Sequence, residues 1–451
     1  MRGIIIATGK AGGFNDGRLS AMVKVGGISV LERHVRIMRK IGIKDVLIVS
    51  GRRSEEIQNE IDGLAALRMN LRQVWPDEGG NLNLGGTFAE TDDQPWLLTD
   101  AAMIFDERLP QILKNESGTL AFVDSSDSIE IGRRKLLKNM QSAGAGDNEV
   151  FVGCARLEAG AVERMRVSSD HFWLAAYLAE KIRVANGRLM RTKDLPDYSY
   201  DMRRHLAYIW MPVDGPDDNR RGKKMLLDWG QKRVLDWPAW YIHQPIEKAI
   251  VYHLCEYRVT PNQLTLLNNV VAFIAMGFFA IGWLVPGLLL ALCVGVLDGL
   301  DGKQARMKLM TSKWGQLEEL LDKIYENGWY LALAYHFSNL NSGSGFPYIL
   351  FWIIFAVNML EILLGLVFRF TRRVQLDDMG PFERKFRLIA GRRNTYVWTL
   401  LPFFAVACIW NMPELYYFGF IAIVIYSILS FAVHCWRAVF HMIHKTEQRI
   451  P

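Results

Sequence analysis

The chain has 451 residues, half of them hydrophobic, and a formal net charge of +6, a length that suits two or three domains. Five cysteines (Cys154, Cys255, Cys293, Cys408 and Cys435) form no C-x-x-C pair and no metal-ligand spacing, which excludes a disulfide framework and a thiolate metal centre. The long apolar runs all begin after about residue 260, so a soluble half followed by a membrane half is the simplest account, and no nucleic-acid partner is expected.

The first residues, Met1 to Ala7, have too short an apolar core for a signal peptide, and the N-terminal half is expected to stay in the cytoplasm. A strand is predicted over Gly3 to Thr8, then a loop with Gly9, Gly12, Gly13 and Gly17, a helix over Val30 to Ile41 and a strand over Asp45 to Ser50. Strands alternating with helices predict an α/β domain with a mostly parallel sheet. A glycine-rich turn after a first strand lets backbone N–H groups approach an anion. Two further strands, Trp96 to Asp100 and Ile209 to Asp214, end in acids. Asp100 and Asp214 are therefore candidates for one Mg²⁺ over a nucleotide triphosphate.

The order of these pieces resembles the sugar-nucleotide and inositol-phosphate nucleotidyltransferases. Val23 to Arg33 resembles their stretch after the catalytic lysine, Gly80 to Phe88 their base-binding region, and Val213 to Asp218 their closing metal-binding turn. The resemblance implies a Rossmann- or GT-A-like domain over residues 1–225, with Gly9, Gly12, Gly13, Lys24, Asp100 and Asp214 as its site. It breaks at two diagnostic points. Gly12-Gly13-Phe14-Asn15 replaces a loop ending in arginine, and Leu19-Ser20-Ala21 replaces proline-lysine-proline. A hydroxyl supplies no charge where transfer needs a cation, so the domain reads as a degenerate cytidylyltransferase.

Residues 226–258 read as a linker. Trp237, Trp240 and Tyr241 precede an amphipathic stretch from Ile246 to Tyr257, as suits a helix lying in the membrane interface. Thr260-Pro261-Asn262 carries helix-start chemistry. Apolar runs at about 264–283, 286–303, 324–340, 347–368, 395–412 and 414–437 predict six spans, since a span needs ~20 apolar residues. The connection from Arg369 to Arg393 is rich in arginine, whereas Ser338 to Gly345 and Asn411 to Glu414 carry no Lys or Arg. The positive-inside rule then puts both termini in the cytoplasm and the protein in the inner membrane.

At the end of the second run stand Asp298, Asp301 and Gly302, and after a polar segment Glu318, Glu319 and Asp322. Acids beside a membrane span are costly and call for a compensating partner. Residues three and four apart share a helix face, so two helices can bring these carboxylates together, as oxygen-seeking Mg²⁺ (or Mn²⁺) requires. Arg392 and Arg393 open the fifth run as either a phosphate clamp or a topology anchor.

These residues resemble the signature of the CDP-alcohol phosphotransferase family, D-x-x-D-G-x-x-A-R-x8-G-x3-D-x3-D. Asp298, Asp301, Gly302, Ala305, Arg306 and Gly315 match it. Strict counting then reaches Glu319 and Lys323, whereas a connection one residue shorter reaches Glu318 and Asp322, the preferred alignment. The resemblance implies metal ligands at Asp298, Asp301, Glu318 or Glu319, and Asp322, with Asp322 as base. It also implies substrate contacts from Asn262, Thr265, Gly302, Ala305, Arg306, Arg392 and Arg393. Within the family the chain is most similar to di-myo-inositol phosphate synthases that carry an inositol-1-phosphate cytidylyltransferase domain. The implied partners are a CDP-linked donor, an alcohol or polyol-phosphate acceptor, membrane lipids and a second copy in a homodimer. The membrane domain is expected over 259–451. The rival reading is a non-catalytic membrane scaffold with both halves degenerate.

Overall fold

The computed structural model describes residues 1–13, 17–84, 94–127, 140–162, 164–168, 172–199, 202–233, 235–310, 315–372 and 375–443, without the side chains of 164, 172, 315–319 and 372. Phe14, Asn15, the end of the Gly80 to Phe88 stretch and the carboxylates of Glu318 and Glu319 thus lie outside the described residues. The chain divides into two compact units. One is Met1–Asp197 with Leu206–Trp229 and Met307–Leu309; the other is Tyr198–His205 with Gly230–Arg306 and Met310–Pro451.

The first unit is built on a seven-stranded sheet. Its strands are β1 (Arg2–Ile6), β2 (Asp45–Val49), β3 (Asn70–Val74), β4 (Trp96–Asp100), β5 (Leu120–Ser125), β6 (Glu149–Leu157) and β7 (Arg188–Arg191), in the order β7-β5-β6-β4-β1-β2-β3. β1 lies parallel to β2 and β4, while β6 runs antiparallel to β4 and β5. Ile4, Ile5, Leu47, Ile48, Leu97 and Leu98 are wholly buried, because helices cover a parallel sheet on both faces and its strands read as continuous apolar runs. Those helices are α1 (Val30–Lys40), α2 (Glu55–Gly63), α3 (Arg108–Asn115), α4 (Phe172–Val184) and α5 (Asp217–Trp229). α1 starts where Ser29 Oγ accepts from Glu32 N at 2.9 Å, which satisfies one of the helix's orphan donors. The strand predicted from Ile209 is shorter than expected. Only Trp210–Pro212 is extended, paired with Met103–Phe105 in a separate two-stranded sheet, where Pro212 offers no N–H to a longer ladder.

The second unit is helical. α6 (Gln244–Leu254) follows a π-helical turn, Ala239–His243. Then come α7 (Pro261–Ile281), α8 (Leu284–Met307), α9 (Gly315–Leu340), α10 (Phe346–Arg372), the short α11 (Pro381–Phe386), α12 (Arg393–Trp410) and α13 (Glu414–Ile443). Each of the six apolar runs lies largely in its own long helix. Thr260 and Gln263 form a capping box at the start of α7, as the threonine-proline pair predicts. Among the described residues four helices are long and apolar enough to cross a membrane: Pro261–Ile281, Leu284–Met307, Phe346–Thr371 and Glu414–Ile443. Between the helices Tyr325, Trp329, Phe351, Phe404 and Phe420 build a buried aromatic core. Leu266, Val270, Leu363, Ile425 and Leu429 point outward and are exposed, so these helices are apolar on both faces, as lipid-facing helices are.

Candidate active site

The signature acids are positioned by four helices. On α8, Asp301 is 5% exposed. Its Oδ2 accepts from Thr265 Oγ1 of α7 at 2.6 Å, and its Oδ1 accepts from Gly302 N at 2.6 Å. Three residues earlier, Asp298 Oδ2 accepts from Arg393 Nη2 of α12 at 2.6 Å. Arg393 Nη1 donates to the hydroxyl of buried Tyr325 on α9 and lies 3.9 Å from Asp322 Oδ2. The guanidinium thus stands between two carboxylates from different helices, where a planar fork suits two oxygens at once. Asp322 Oδ1 is buried and accepts no hydrogen bond. Lys323 pairs instead with Glu326 at 3.0 Å.

Asp298, Asp301, Asp322, Gly302, Arg306, Arg392 and Arg393 all line one cavity of about 620 Å³. Asn262 is exposed at the start of α7, and neither it nor Ala305 lines that cavity. Arg306 Nε donates to the Gly230 carbonyl at 2.7 Å. The two neighbouring arginines part company: Arg392 Nη2 donates to Asp377 Oδ2 at 2.7 Å, while Arg393 serves the Asp298 side.

Several lining groups were missed in the sequence. Glu247 of α6 takes Lys303 Nζ at 2.5 Å, with side chains 10% and 4% exposed. Burial raises the Glu247 carboxyl, and the adjacent ammonium pulls it back. The helix reaches that close because Gly295 and Gly299 lack side chains. A Cβ on either would collide with His243 or with the Glu247 carboxylate. His243 is itself held in the neutral direction by burial. Glu361 of α10, Asp377, and His434 of α13 line the same cavity. Ionisable residues in apolar helices signal function by default, and that signal marks Glu361 and His434. Nothing local marks Glu247, whose partner is 56 residues away.

In the first unit the glycine loop is closed by its own chain. Gly12 N donates to Asp214 Oδ1 at 2.6 Å and Gly13 N to the Asp214 carbonyl at 2.7 Å. Gly9 accepts from Ser20 N through its carbonyl at 2.9 Å. Asp100 Oδ1 accepts from Ala102 N at 2.9 Å. Lys24 is exposed on the short strand Lys24–Val25. Ser20 is 1% exposed and its Oγ has no hydrogen-bond partner, so a lysine there would bury its ammonium.

Among the described residues no three His, Cys, Asp or Glu side chains already stand where they would hold one metal ion. The donor chemistry nevertheless suits a hard divalent cation. The ligands offered are carboxylate oxygens, and Asp322 Oδ1 has its lone pairs free of hydrogen bonds.

The chain thus joins an α/β unit to a helical unit in which, among the described residues, four helices are long and apolar enough to cross a membrane. Residues 258–443 match the model of the CDP-alcohol phosphatidyltransferase family. Three relatives are each described as a bifunctional IPC transferase and DIPP synthase. That of Rubrobacter xylanophilus is 25% identical over 75% of this chain and 79% of its own length. That of Thermococcus kodakarensis is 22% identical over 74% and 76%. The match to the Aquifex aeolicus protein, 26% identical, spans 44% of each chain, less than half of that relative.

Proposed function

We propose that the protein is a CDP-alcohol phosphotransferase that moves a phosphoalcohol from a CDP-linked donor to an alcohol acceptor and releases CMP. The observation that carries this reading is the convergence of Asp298, Asp301 and Asp322 from two helices on one cavity, with Asp322 Oδ1 unsatisfied there. The family is in general divalent-metal dependent. Asp298, Asp301 and Asp322, with Glu318 or Glu319, would hold Mg²⁺ or Mn²⁺. Bound there, the metal supplies charge neutralisation for the donor diphosphate. The acceptor oxygen forms a bond to the phosphorus of the alcohol phosphate, the phosphorus–oxygen bond to CMP breaks, and Asp322 takes the hydroxyl proton. Arg392 and Arg393 are the groups suited to an acceptor phosphate. The donor is CDP-inositol or a CDP-linked lipid, and the acceptor a polyol phosphate or a lipid alcohol.

The same reading gives six spans, both termini on the cytoplasmic side of the inner membrane, an interfacial α6 and a homodimer. It makes the first unit a nucleotidyltransferase-like domain of reduced or lost activity, because Asp214 occupies the glycine-loop N–H groups and Ser20 is uncharged. The test is Mg²⁺-dependent CMP release by the purified protein from a panel of CDP-alcohols, with Asp298→Asn as control. Absence of release from every donor and acceptor pair would return the scaffold reading.

A further inference from the structure

Two groups of ionisable side chains line the cavity. One is Asp298 and Asp322 with Arg393. In the other, His434 of α13 lies near two acids. His434 Nδ1 is 2.7 Å from Glu361 Oε1, and its Nε2 is 3.6 Å from Asp377 Oδ1, beyond hydrogen-bond reach. The side chain is 6% exposed, and Nε2 is buried without a hydrogen-bond partner. Phe386 packs edge-on against it at 5.1 Å. Asp377 is anchored from behind by Arg387 at 2.8 Å and Arg392 at 2.7 Å.

A gap of this kind, lined by a carboxylate that only accepts and a ring nitrogen, is matched by a hydroxyl. With Nδ1–H donating to Glu361, Nε2 accepts in the neutral ring and donates in the protonated one. A hydroxyl fits either state: it donates its one proton to Nε2 of the neutral ring, or donates it to Asp377 while accepting from Nε2–H of the protonated ring. A buried polar atom left unpaired is costly, so a ligand that satisfies Nε2 is favoured over one that does not. A two-substrate cavity needs, besides its metal-type acids, groups that read the second substrate.

We propose that His434 and Asp377 form a specificity-determining subsite that reads a non-reacting hydroxyl of the acceptor, with Glu361 as the positioning residue that fixes the ring. This rests on the phosphotransferase reading above. The ligand chemistry is a polyhydroxylated group carrying a phosphate, present in a soluble polyol phosphate and in a sugar- or cyclitol-bearing lipid headgroup.

The test uses the full chain in detergent with a CDP-alcohol donor, and inositol 1-phosphate and glycerol 1-phosphate as acceptors. Loss of one hydrogen bond to a charged group predicts that His434→Leu raises KM for inositol 1-phosphate about 10- to 100-fold. The donor KM and kcat should stay within about threefold, and glycerol 1-phosphate, with fewer hydroxyls, should be affected less. His434→Gln, which keeps a hydrogen-bonding end, should recover part of the loss, and Glu361→Gln should show the same pattern more weakly. Equal losses for both acceptors, or a change in donor KM alone, would overturn the proposal. An added arm with phosphatidylinositol micelles in place of the soluble acceptor separates the two sources. If the wild type releases no CMP at all, the phosphotransferase reading fails by itself. Calorimetric titration with inositol 1-phosphate then decides this subsite: binding by wild type that is lost in His434→Leu upholds it, and equal binding or none overturns it.

Discussion

Gly299→Ala should destabilise a helix that alanine ordinarily favours. In an exposed helix interior the change gains about 0.5–1 kcal/mol. Here the added Cβ collides with the Glu247 carboxylate, and the structure has two ways to respond. It can keep the Glu247–Lys303 pair and accept overpacking strain, about 1–3 kcal/mol. It can instead expel Glu247 and leave a 4%-exposed ammonium unpaired, about 3–5 kcal/mol. The smaller cost decides, and set against the alanine gain it leaves a net loss of about 0–2.5 kcal/mol. Glu247→Ala alone should lose about 3–5 kcal/mol, since it strands Lys303. In that background the collision is gone, and Gly299→Ala should become neutral or stabilising. The double-mutant cycle, measured by unfolding of the purified protein in mixed micelles, should therefore show a coupling equal to the relieved strain, about 1–3 kcal/mol. Equal effects of Gly299→Ala in the two backgrounds would refute the close-approach argument.

Other predictions follow from the same contacts. Asp322→Asn should abolish CMP release while Lys323→Ala leaves most of it, because Asp322 faces the Arg393 side and Lys323 pairs with Glu326; the reverse order would restore the strict signature spacing. Cysteines introduced by Ser342→Cys and Met412→Cys should react with an impermeant thiol reagent outside intact cells, and Gln375→Cys should not, and outside labelling of Gln375→Cys would end the six-span topology. Burial lowers His34 from 6.5 to about 4, with Met103 O opposing and Arg33 adding to the effect. The neutral ring therefore stabilises the first unit fully above about pH 6.5, and that contribution of about 3 kcal/mol is lost as pH falls toward 4; an equally steep acid loss in His34→Gln would show that another group is responsible. With CTP and inositol 1-phosphate the protein should make little CDP-alcohol, and vigorous synthesis abolished by Asp100→Asn would mean that the first unit is a working enzyme.

Local patterns carried much of this architecture. Apolar runs located six long helices, four of which, among the described residues, are long and apolar enough to cross a membrane, and Thr260 and Pro261 marked the start of one of them. Trp96–Asp100 could be read as a strand from its composition alone. The pairing of Asp301 with Thr265 was approachable through the family resemblance but through no periodicity, since 36 residues separate them. Glu247 with Lys303, and His434 with Asp377, were illegible for the same reason: each half looks like an ordinary charge, and only the folded chain supplies its partner. The strand expected from Ile209 overreached because proline ends a ladder that hydropathy alone would continue. The place of Asp214 after an apolar stretch suggests a metal ligand, and no local pattern foretells that Gly12 N donates to its carboxylate.

The contribution of the segment before residue 258 to the cavity has a practical consequence for modular engineering. The family match begins at residue 258, yet Gln231, Lys232, Asp236, Ala239 and Glu247 all face the cavity, and Gly230 accepts from Arg306. A chimera spliced at 258 would carry the signature helix with its neighbouring wall removed, its Gly295 and Gly299 groove uncovered and Lys303 stripped of its counter-charge. The transplantable unit is longer than the conserved-sequence boundary suggests, and a junction placed ahead of Gly230 keeps that wall with the helix it serves.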